Sequence, residues 1–562
     1  MRAGALFAAL TLSTLLLRAD APSPRVLLRE AERHSDAAIA EAAAAAPDEA
    51  VVLLRSGSRP IAQAISSAPP AVRVLLRFAE ARCVPESACP AAAVFYRQIA
   101  DKSLSFDQAL ALAARREAYF HQLVTLRLQG PDALFDRVLH QEAETIRSAW
   151  MEGGESRAAS GVARMPARDL YALLAYGQRE ESEISFARFF DHELAPRLAG
   201  GRLLAAMQES RFLRARHFLV EAIRADRQSA LATLAGAGNA RLLALAAEGI
   251  ASSPDPVTEG ALAAEILEAY AALAPHRALE AALRKVAAAN EPIAGLLAAW
   301  LERLRPGALE PATRALAAPY RAHLPAADTL DAAQACPQRR CTQRMMFFDD
   351  DDGVASFAAF EALYKKDPRW QWDERAAADG RASYIRVSRT GASGVTVEVF
   401  ANRPRPANGA ISMAWEGAER EANDTLATLL TQRGAATLFV QRGHAYHVPK
   451  AIAAVAPEAR FVFLGGCRGT EHFLPLVERA PAAHVIATRS TGTLTINDPL
   501  LKAINDELAD RGVIDWPAFW SAQSARFGRS ALFGRYIPPH RNGAVLFLQG
   551  WQRFIAPQQA SR

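Results

Sequence analysis

The sequence lacks several features that would place it in a common class of protein. No segment approaches the roughly 20 uncharged apolar residues that span a bilayer, so we expect no membrane span. The formal net charge is only +5 over 562 residues, with basic and acidic residues interspersed, which argues against nucleic acid as a partner. A P-loop, a HExxH helix and a G-x-S-x-G elbow are also absent, which argues against the commonest nucleotide-binding, zinc-peptidase and serine-hydrolase classes.

The first 21 residues have the pattern of a secretory signal peptide. Arg2 precedes an apolar stretch at residues 5–17, and Ala19-Asp20-Ala21 fits a small-x-small cleavage site. We therefore expect cleavage after Ala21 and a soluble protein that is exported to the periplasm or to the extracellular space.

The five cysteines suggest two short disulfides and one remaining thiol. In an exported chain an even set of cysteines is expected to pair. Two pairs each enclose a short polar loop whose ends can approach within disulfide distance: Cys83 with Cys89, and Cys336 with Cys341. Cys467 then remains, and it lies in the motif-like stretch Phe461-Val-Phe-Leu-Gly-Gly-Cys467.

Residues 22–335 form the first predicted region of the mature chain, and it is α-helical. Apolar residues recur three or four positions apart, as in Leu219 and Ile223, and turn signals such as Asn290-Glu291-Pro292 divide the pattern into helices. The stretch from about 200 to 320 reads as successive helix pairs, which indicates an α-solenoid of the HEAT or TPR type, although no fixed sequence period is present.

Residues 336–562 form the second predicted region, in which strands alternate with helices. This alternation predicts an α/β domain with a mainly parallel sheet. The predicted strands are 383–388, 395–400, 437–441, 461–464, 484–488 and 544–548, and the predicted helices are 419–432, 449–456 and 499–511.

Two of these strands end in reactive residues. Residues 437–441 lead into Arg442-Gly443-His444-Ala445-Tyr446-His447, and residues 461–464 lead into Gly465-Gly466-Cys467. Consecutive parallel strands joined by a crossover helix are usually neighbours, and ligands bind at their carboxyl ends, so the imidazole and the thiol should be adjacent. The two glycines allow a sharp turn after the strand, and an imidazole can activate a thiol.

This pattern resembles the caspase-like cysteine peptidases, a group that includes caspases, gingipains, clostripain, legumain and separase. Three segments look like motifs of exported bacterial proteins related to that clan: residues 442–447, residues 464–469 and Ile496-Asn-Asp-Pro499. The resemblance covers roughly residues 340–552. It implies a caspase-like fold in which Cys467 is the nucleophile, His444 is the general acid/base, and the N–H of Cys467, in the turn made by Gly465 and Gly466, forms part of an oxyanion hole.

The sequence departs from the clan at the histidine, because the clan usually has His followed by Gly, whereas Gly443 precedes His444 and Ala445 follows it. His447 is the alternative histidine, and Cys467 could instead be a buried structural thiol. Arg442, His447 and Asp498 are candidates for a substrate pocket. A zinc site made by His444, His447, Cys467 and His472 is the main chemical rival, but its spacing is unlike common structural zinc patterns, so we expect neither metal nor cofactor.

The acidic run Asp349–Asp352 does not fit an EF-hand, because Phe348 would occupy the first ligand position and Ala359 the position of the bidentate Glu. We expect a solvated acidic turn with one Asp capping the helix through residues 356–364, in preference to an ion site.

Two functional hypotheses follow. The first is an exported caspase-like cysteine hydrolase, an endopeptidase acting on a protein or peptide, whose helical region recruits a protein partner or restrains the catalytic domain. The second is a protein-binding scaffold in which the helical region carries the function and the caspase-like domain is catalytically silent.

Overall fold

A computed structural model describes most of the chain from residue 115 onward. The predicted signal peptide and the predicted pair Cys83 and Cys89 lie outside the described residues. The described residues are 115–129, 133–177, 182–198, 202–250, 253–270, 277–376, 383–404, 426, 430, 436–528, 530 and 532–560.

The chain divides into two compact units. The first unit is Met1–Arg179, Phe189–Leu198 and Ala205–Arg214, and the second is Glu180–Arg188, Ala199–Leu204 and Ala215–Arg562. The described part of the first unit is mainly helical, whereas the second contains further helices and every described strand. The helices from Ala215 onward therefore share one unit with the sheet.

The helices that precede the sheet are short to medium in length. They are α1 Arg116–Gln129, α2 Ala133–Glu152, α3 Gly154–Ala159, α4 Ala167–Tyr176, α5 Ser182–Phe189, α6 Leu203–Glu209, α7 Ala215–Arg224, α8 Gln228–Ala235, α9 Asn239–Leu245, α10 Pro256–Tyr270, α11 Arg277–Ala287, α12 Glu291–Leu304 and α13 Pro311–Ala317. One of them begins at the predicted turn Asn290-Glu291-Pro292: Asn290 caps α12 by accepting a hydrogen bond from the N–H of Ile293. None of the described helices combines the length and apolarity needed to cross a membrane.

The second unit contains a mixed eight-stranded sheet that is mostly parallel. From edge to edge the strand order is β10, β8, β7, β6, β2, β5, β4, β3. The five strands from β8 to β5 run parallel, whereas β10, β4 and β3 pair antiparallel at the two sides. The strands are β1 Thr329–Asp331, β2 Arg340–Phe347, β3 Gln371–Ala376, β4 Ser383–Thr390, β5 Thr396–Asn402, β6 Leu438–Arg442, β7 Phe461–Leu464, β8 His484–Thr488, β9 Val513–Asp515 and β10 Tyr536–Ile537, of which β1 and β9 form a separate antiparallel pair.

Helices accompany the strands in the second half of this unit. They are α14 Ala332–Ala335, α15 Asp351–Lys365, α16 Val448–Ala453, α17 Phe473–Arg479, α18 Leu494–Arg511, α19 Trp516–Phe527 and α20 Gly543–Ala560. Phe347 at the end of β2 packs edge-on against Phe357 of α15, with ring centroids 5.4 Å apart. This contact belongs to a core that also contains residues of α18 and α19, and it holds the start of α15 beside the end of β2.

Five predicted strands are confirmed as β4 to β8, but the predicted strand at residues 544–548 is wrong. These residues lie in α20. Val545, Leu546, Phe547 and Leu548 are all buried, and a short run that is buried on every side has no periodicity that separates a strand from a helix. A Cβ on Gly260 of α10 would meet the ring of Phe547 at 2.3 Å, so α20 packs closely against that helix.

The remaining helix predictions differ from the structure mainly in their ends. The helix predicted at 499–511 begins earlier, at Leu494, and the helix predicted at 449–456 is the shorter α16. Most of the helix predicted at 419–432 lies outside the described residues.

The predicted disulfide between Cys336 and Cys341 is confirmed, with Cα atoms 4.6 Å apart. It closes the short turn that leads into β2. Cys467 carries a half-buried thiol.

Candidate active site

The polar residues of the candidate site follow three neighbouring strands. β6 lies between β2 and β7, and the three strands are parallel. Phe347 pairs with Arg442, and Gln441 pairs with Leu464, so the strands end at similar heights in the sheet. The acidic turn after β2, the histidines after β6 and Cys467 after β7 therefore lie at the same edge, where open parallel sheets bind ligands.

Gln441 joins the histidine loop to the cysteine loop. Its fully buried side chain donates from Nε2 to the carbonyl oxygens of Gly443 and His444, at 3.1 and 3.4 Å. Its Oε1 accepts a hydrogen bond of 2.8 Å from the N–H of Gly466. One amide thus fixes the backbone of His444 relative to the residue that precedes Cys467.

The close approach of these loops leaves little room for a side chain at Gly443 and at Gly466. Gly443 has φ 135°, a conformation that side chains disfavour. A Cβ on Gly443 would lie about as close to Phe348 as real contacts permit, at 3.2 Å, and a Cβ on Gly466 would lie 3.1 Å from the carbonyl oxygen of Gly443. The backbones of the histidine loop and the cysteine loop therefore approach closely, and the side chains of Phe348 and Asp350 pack against Gly443.

His444 is held between two carboxylates of the acidic turn. Its Nε2 lies 2.9 Å from Asp351 Oδ1, and its Nδ1 lies 3.3 Å from Asp352 Oδ2. Burial alone lowers the pKa of His444, but the hydrogen bond to Asp351 and the charges of Asp352 and Asp350 outweigh it, so its pKa lies above the usual value. The hydrogen bond to His444 in turn lowers the pKa of Asp351. This arrangement favours the imidazolium form.

The second histidine, His447, contacts a different carboxylate. Its Nε2 lies 3.0 Å from Asp350 Oδ2, and its ring stacks on Phe348 with centroids 3.9 Å apart. Tyr446 lies next to both histidine rings and is 56% exposed, so it forms the outer surface of the cluster. The structure therefore places both histidines, and not His444 alone, beside the acidic turn.

Asp350 has a structural role and a charge role at the same time. It caps α15 by accepting a hydrogen bond from the N–H of Gly353, which confirms the predicted capping aspartate. Burial raises the pKa of Asp350, but the hydrogen bonds from His447, Gly353 and the N–H of His444 lower it further than burial raises it. The contacts between this turn and the histidines could not be predicted from the sequence, because β2 lacks the pattern of a buried strand and its place beside β6 was not evident.

The backbone of the cysteine loop is fixed by several hydrogen bonds. The N–H groups of Gly465 and Gly466 donate to the main-chain oxygen and to Oε1 of Gln441, respectively. The carbonyl of Gly466 accepts from Thr488 Oγ1 at 2.7 Å, and that of Gly465 accepts from Asn497 Nδ2 at 3.0 Å. Gly465 and Gly466 therefore act as turn residues here, since their N–H groups are engaged within the protein.

Arg442 and Asp498 do not line an open pocket. They are 1% and 4% exposed and form an ion pair of 2.9 Å beneath the cysteine loop. Burial raises the pKa of Asp498 more than the adjacent guanidinium lowers it. Both side chains are shielded from solvent in this structure, whereas His447 is partly exposed at the edge of the site. A role for these residues in a substrate pocket stays a prediction.

The residues of the zinc alternative are not brought together as one ligand set. Among the described residues, Asp350, Asp351 and His444 form a group of potential metal ligands. Their donor atoms all lie within 4.8 Å of one another. Cys467, His447 and His472 are not part of it. Oxygen and imidazole donors of this kind suit a divalent cation, but they are already engaged with one another.

The site therefore combines carboxylates, two imidazoles and a thiol on the ends of three adjacent parallel strands. Its electrostatics favour a protonated His444 next to a loop that carries Cys467. Comparison with known proteins gave no match to a family model, to a curated protein or to a solved structure.

Proposed function

We propose that this chain is an exported cysteine hydrolase of the caspase-like type, an endopeptidase whose nucleophile is Cys467 and whose acid/base is His444. The observation that carries the proposal is the Gln441 side chain, which bonds both to the carbonyl of His444 and to the N–H of Gly466. Such a link fixes the backbone of the loop that carries His444 relative to the loop that carries Cys467. This supports the proposal because nucleophilic catalysis needs its thiol and its imidazole on elements held in a fixed relation.

The reaction runs through an acyl-enzyme. The thiolate of Cys467 attacks the substrate carbonyl and forms a C–S bond, and the N–H of Cys467 donates to the developing oxyanion. The imidazolium of His444 gives its proton to the leaving amine as the C–N bond breaks. Neutral His444 then takes a proton from a water that attacks the thioester carbonyl. The C–S bond breaks, the carboxylic acid leaves, and the thiolate of Cys467 and the imidazolium of His444 are restored.

The acidic turn supplies the third part of this arrangement. Asp351 and Asp352 favour the imidazolium that the thiolate form requires, in the way that a carboxylate orients a catalytic histidine. In the described conformation both ring nitrogens face these carboxylates, so proton transfer requires one of them to release the ring. The contact of Asp352 with Nδ1 is 3.3 Å long, whereas that of Asp351 with Nε2 is 2.9 Å. We therefore expect the contact with Asp352 to break first.

Labelling of the purified protein with iodoacetamide at pH 7, read by mass spectrometry, tests the proposal. Rapid labelling of Cys467 that is lost in His444→Ala supports the dyad, because only a thiolate of lowered pKa reacts quickly at this pH. His472→Ala is a matched control, since it removes an imidazole from the segment that follows Cys467. Loss of labelling in His447→Ala, but not in His444→Ala, would show that His447, and not His444, is the acid/base partner of Cys467.

A second candidate is the scaffold function, in which the helical region, of the solenoid type, binds a protein and the caspase-like domain is silent. One observation favours it: both ring nitrogens of His444 are directed to carboxylates. Slow labelling of Cys467 that is indifferent to both histidine substitutions would establish this alternative over the enzyme.

A further inference from the structure

Arg468, the residue directly after Cys467, is a buried cation. Its side chain is 3% exposed, and its guanidinium lies 3.1 Å from Oε1 of Glu221, whose side chain is 1% exposed. Glu221 belongs to α7, which precedes Arg468 by more than two hundred residues of sequence. A helix that precedes the sheet therefore contributes a charge to the residue next to the proposed nucleophile.

Further charges surround this pair. Arg224, on the same face of α7, contacts both Glu221 and Glu471 at 3.0 Å, and Glu471 also bonds to Arg468. Glu265 of α10 lies 3.6 Å from Arg224, and burial raises its pKa despite the neighbouring arginines. The cluster thus spans α7, α10 and the cysteine loop.

The backbone at Arg468 adds a second reason to regard its side chain as a restraint. Arg468 has φ 55°, a left-handed conformation that is uncommon for residues other than glycine. Its N–H donates to the carbonyl of Ser490 at 2.7 Å. Its carbonyl accepts a hydrogen bond of 3.0 Å from the N–H of Glu471. The turn directly after Cys467 is therefore held in an unfavourable backbone conformation by main-chain hydrogen bonds and by the buried ion pairs of its side chain.

We propose that Glu221 is a positioning residue for Cys467 and acts through Arg468. The proposal rests on the function proposed above, and it makes α7 part of the working catalytic unit, so that residues 336–562 alone do not constitute it. Glu221 is the more deeply buried of the carboxylates Glu221 and Glu471 that contact Arg468. Removing it leaves the buried guanidinium less well compensated, and the turn relaxes in order to return that charge to water.

Two readouts on Glu221→Gln test the proposal, each against a matched control. The first is the rate of Cys467 alkylation by iodoacetamide, and the second is amide hydrogen exchange in the peptide 465–472. The control, Glu259→Gln, removes another ion pair of α7, between Arg216 and Glu259, which leaves Arg468 untouched. Glu221→Gln should slow alkylation by about tenfold and accelerate exchange in this peptide, as expected when a reacting group is misplaced, whereas Glu259→Gln should do neither.

A mutant cycle separates positioning from general loss of stability. If Glu221 acts through Arg468, the double variant with Arg468→Gln should alkylate no more slowly than Arg468→Gln alone. Glu221→Asp, which keeps the charge, should recover most of the exchange protection. Glu471→Gln removes a more exposed partner of Arg468 and should shift both readouts in the same direction, which keeps the test available if Glu221→Gln does not fold.

The proposal is overturned if Glu221→Gln shows wild-type alkylation and exchange, if Glu259→Gln reproduces its effects, or if the double variant is additive. Failure of the proposed function has a different signature, namely slow wild-type alkylation that is indifferent to His444→Ala. In that case the exchange measurement still decides whether Glu221 holds the cysteine loop.

Discussion

His447 Nε2 lies 3.0 Å from Asp350 Oδ2, and the other oxygen of the same carboxylate caps α15. This single aspartate connects the first turn of a helix to a histidine that follows a different strand. The relationship couples the stability of the helix start to the geometry of the candidate site.

Asp350→Ala should destabilise the protein by about 1–2 kcal/mol, since it removes a cap and a charge-assisted hydrogen bond. Asp350→Asn should have the smaller effect, because asparagine is an equally good capping residue. Asp515→Ala is the control: Asp515 caps α19 through the N–H of Ala518 and forms no ion pair with a histidine among the described residues. Denaturant unfolding measures all three, and equal losses in the two alanine variants would show that the contact with His447 contributes nothing.

The pKa of His444 should fall in the double variant Asp351→Asn, Asp352→Asn, because the two nearest carboxylates that raise it are neutralised. NMR titration of the histidine ring protons measures this directly. The sign for stability follows from the raised pKa: the stabilisation is complete below about pH 6.5, the ordinary value, and is lost as the pH rises through the folded value. The two proteins should therefore differ most in stability near pH 5.5 and converge at high pH, and a difference that grows with pH would contradict the assignment.

Gln441→Leu should separate the histidine loop from the cysteine loop. It leaves the buried N–H of Gly466 and the buried carbonyl of Gly443 without their hydrogen bonds to Gln441. Each buried group left unsatisfied costs about 1–3 kcal/mol. Gln343→Leu is a matched control, because Gln343 is a buried amide on the neighbouring strand β2 whose Nε2 has no hydrogen-bond partner in the described structure. We expect slower Cys467 alkylation and a lower melting temperature only in Gln441→Leu.

Asp498→Asn should be among the more damaging single substitutions, with a loss of about 3–5 kcal/mol, because it leaves Arg442 as an uncompensated buried charge. The double variant Arg442→Met, Asp498→Leu should be closer to wild type than the single variant, since it removes both charges. Glu361→Gln, which breaks an exposed pair with Lys365, should change stability by less than about 0.5 kcal/mol. A mild effect of Asp498→Asn would mean that the pair is exposed to water in solution.

The sequence predicted the part of the site that depends on strands with strong apolar patterns. β6 and β7 are buried along their whole length, so their ends, and the adjacency of the loops that carry His444 and Cys467, could be inferred. β2 could not, because Arg340, Gln343 and Arg344 interrupt its apolar pattern, although all its residues after Arg340 are buried. Without β2 the acidic turn had no place in the sheet, and its contacts with the histidines were missed.

Ion pairs between distant segments were also beyond the reach of the sequence pattern. In the sequence, Glu221 has the position of an ordinary charged residue on an amphipathic helix, and Arg468 that of a charged residue in a loop. Burial of a charge depends on a partner that local periodicity does not identify. The buried ion pair of Arg442 and Asp498 could not be predicted for the same reason.

The outer strand β3 has a consequence for the behaviour of concentrated protein. It forms one side of the eight-stranded sheet and carries Asp373, Glu374 and Arg375 in succession. An edge strand offers backbone groups to any extended segment of another molecule, and charged side chains along it oppose such pairing by requiring their own desolvation. The sheet should therefore resist growth from molecule to molecule at this side, and solutions of the protein should not form fibrils through β3.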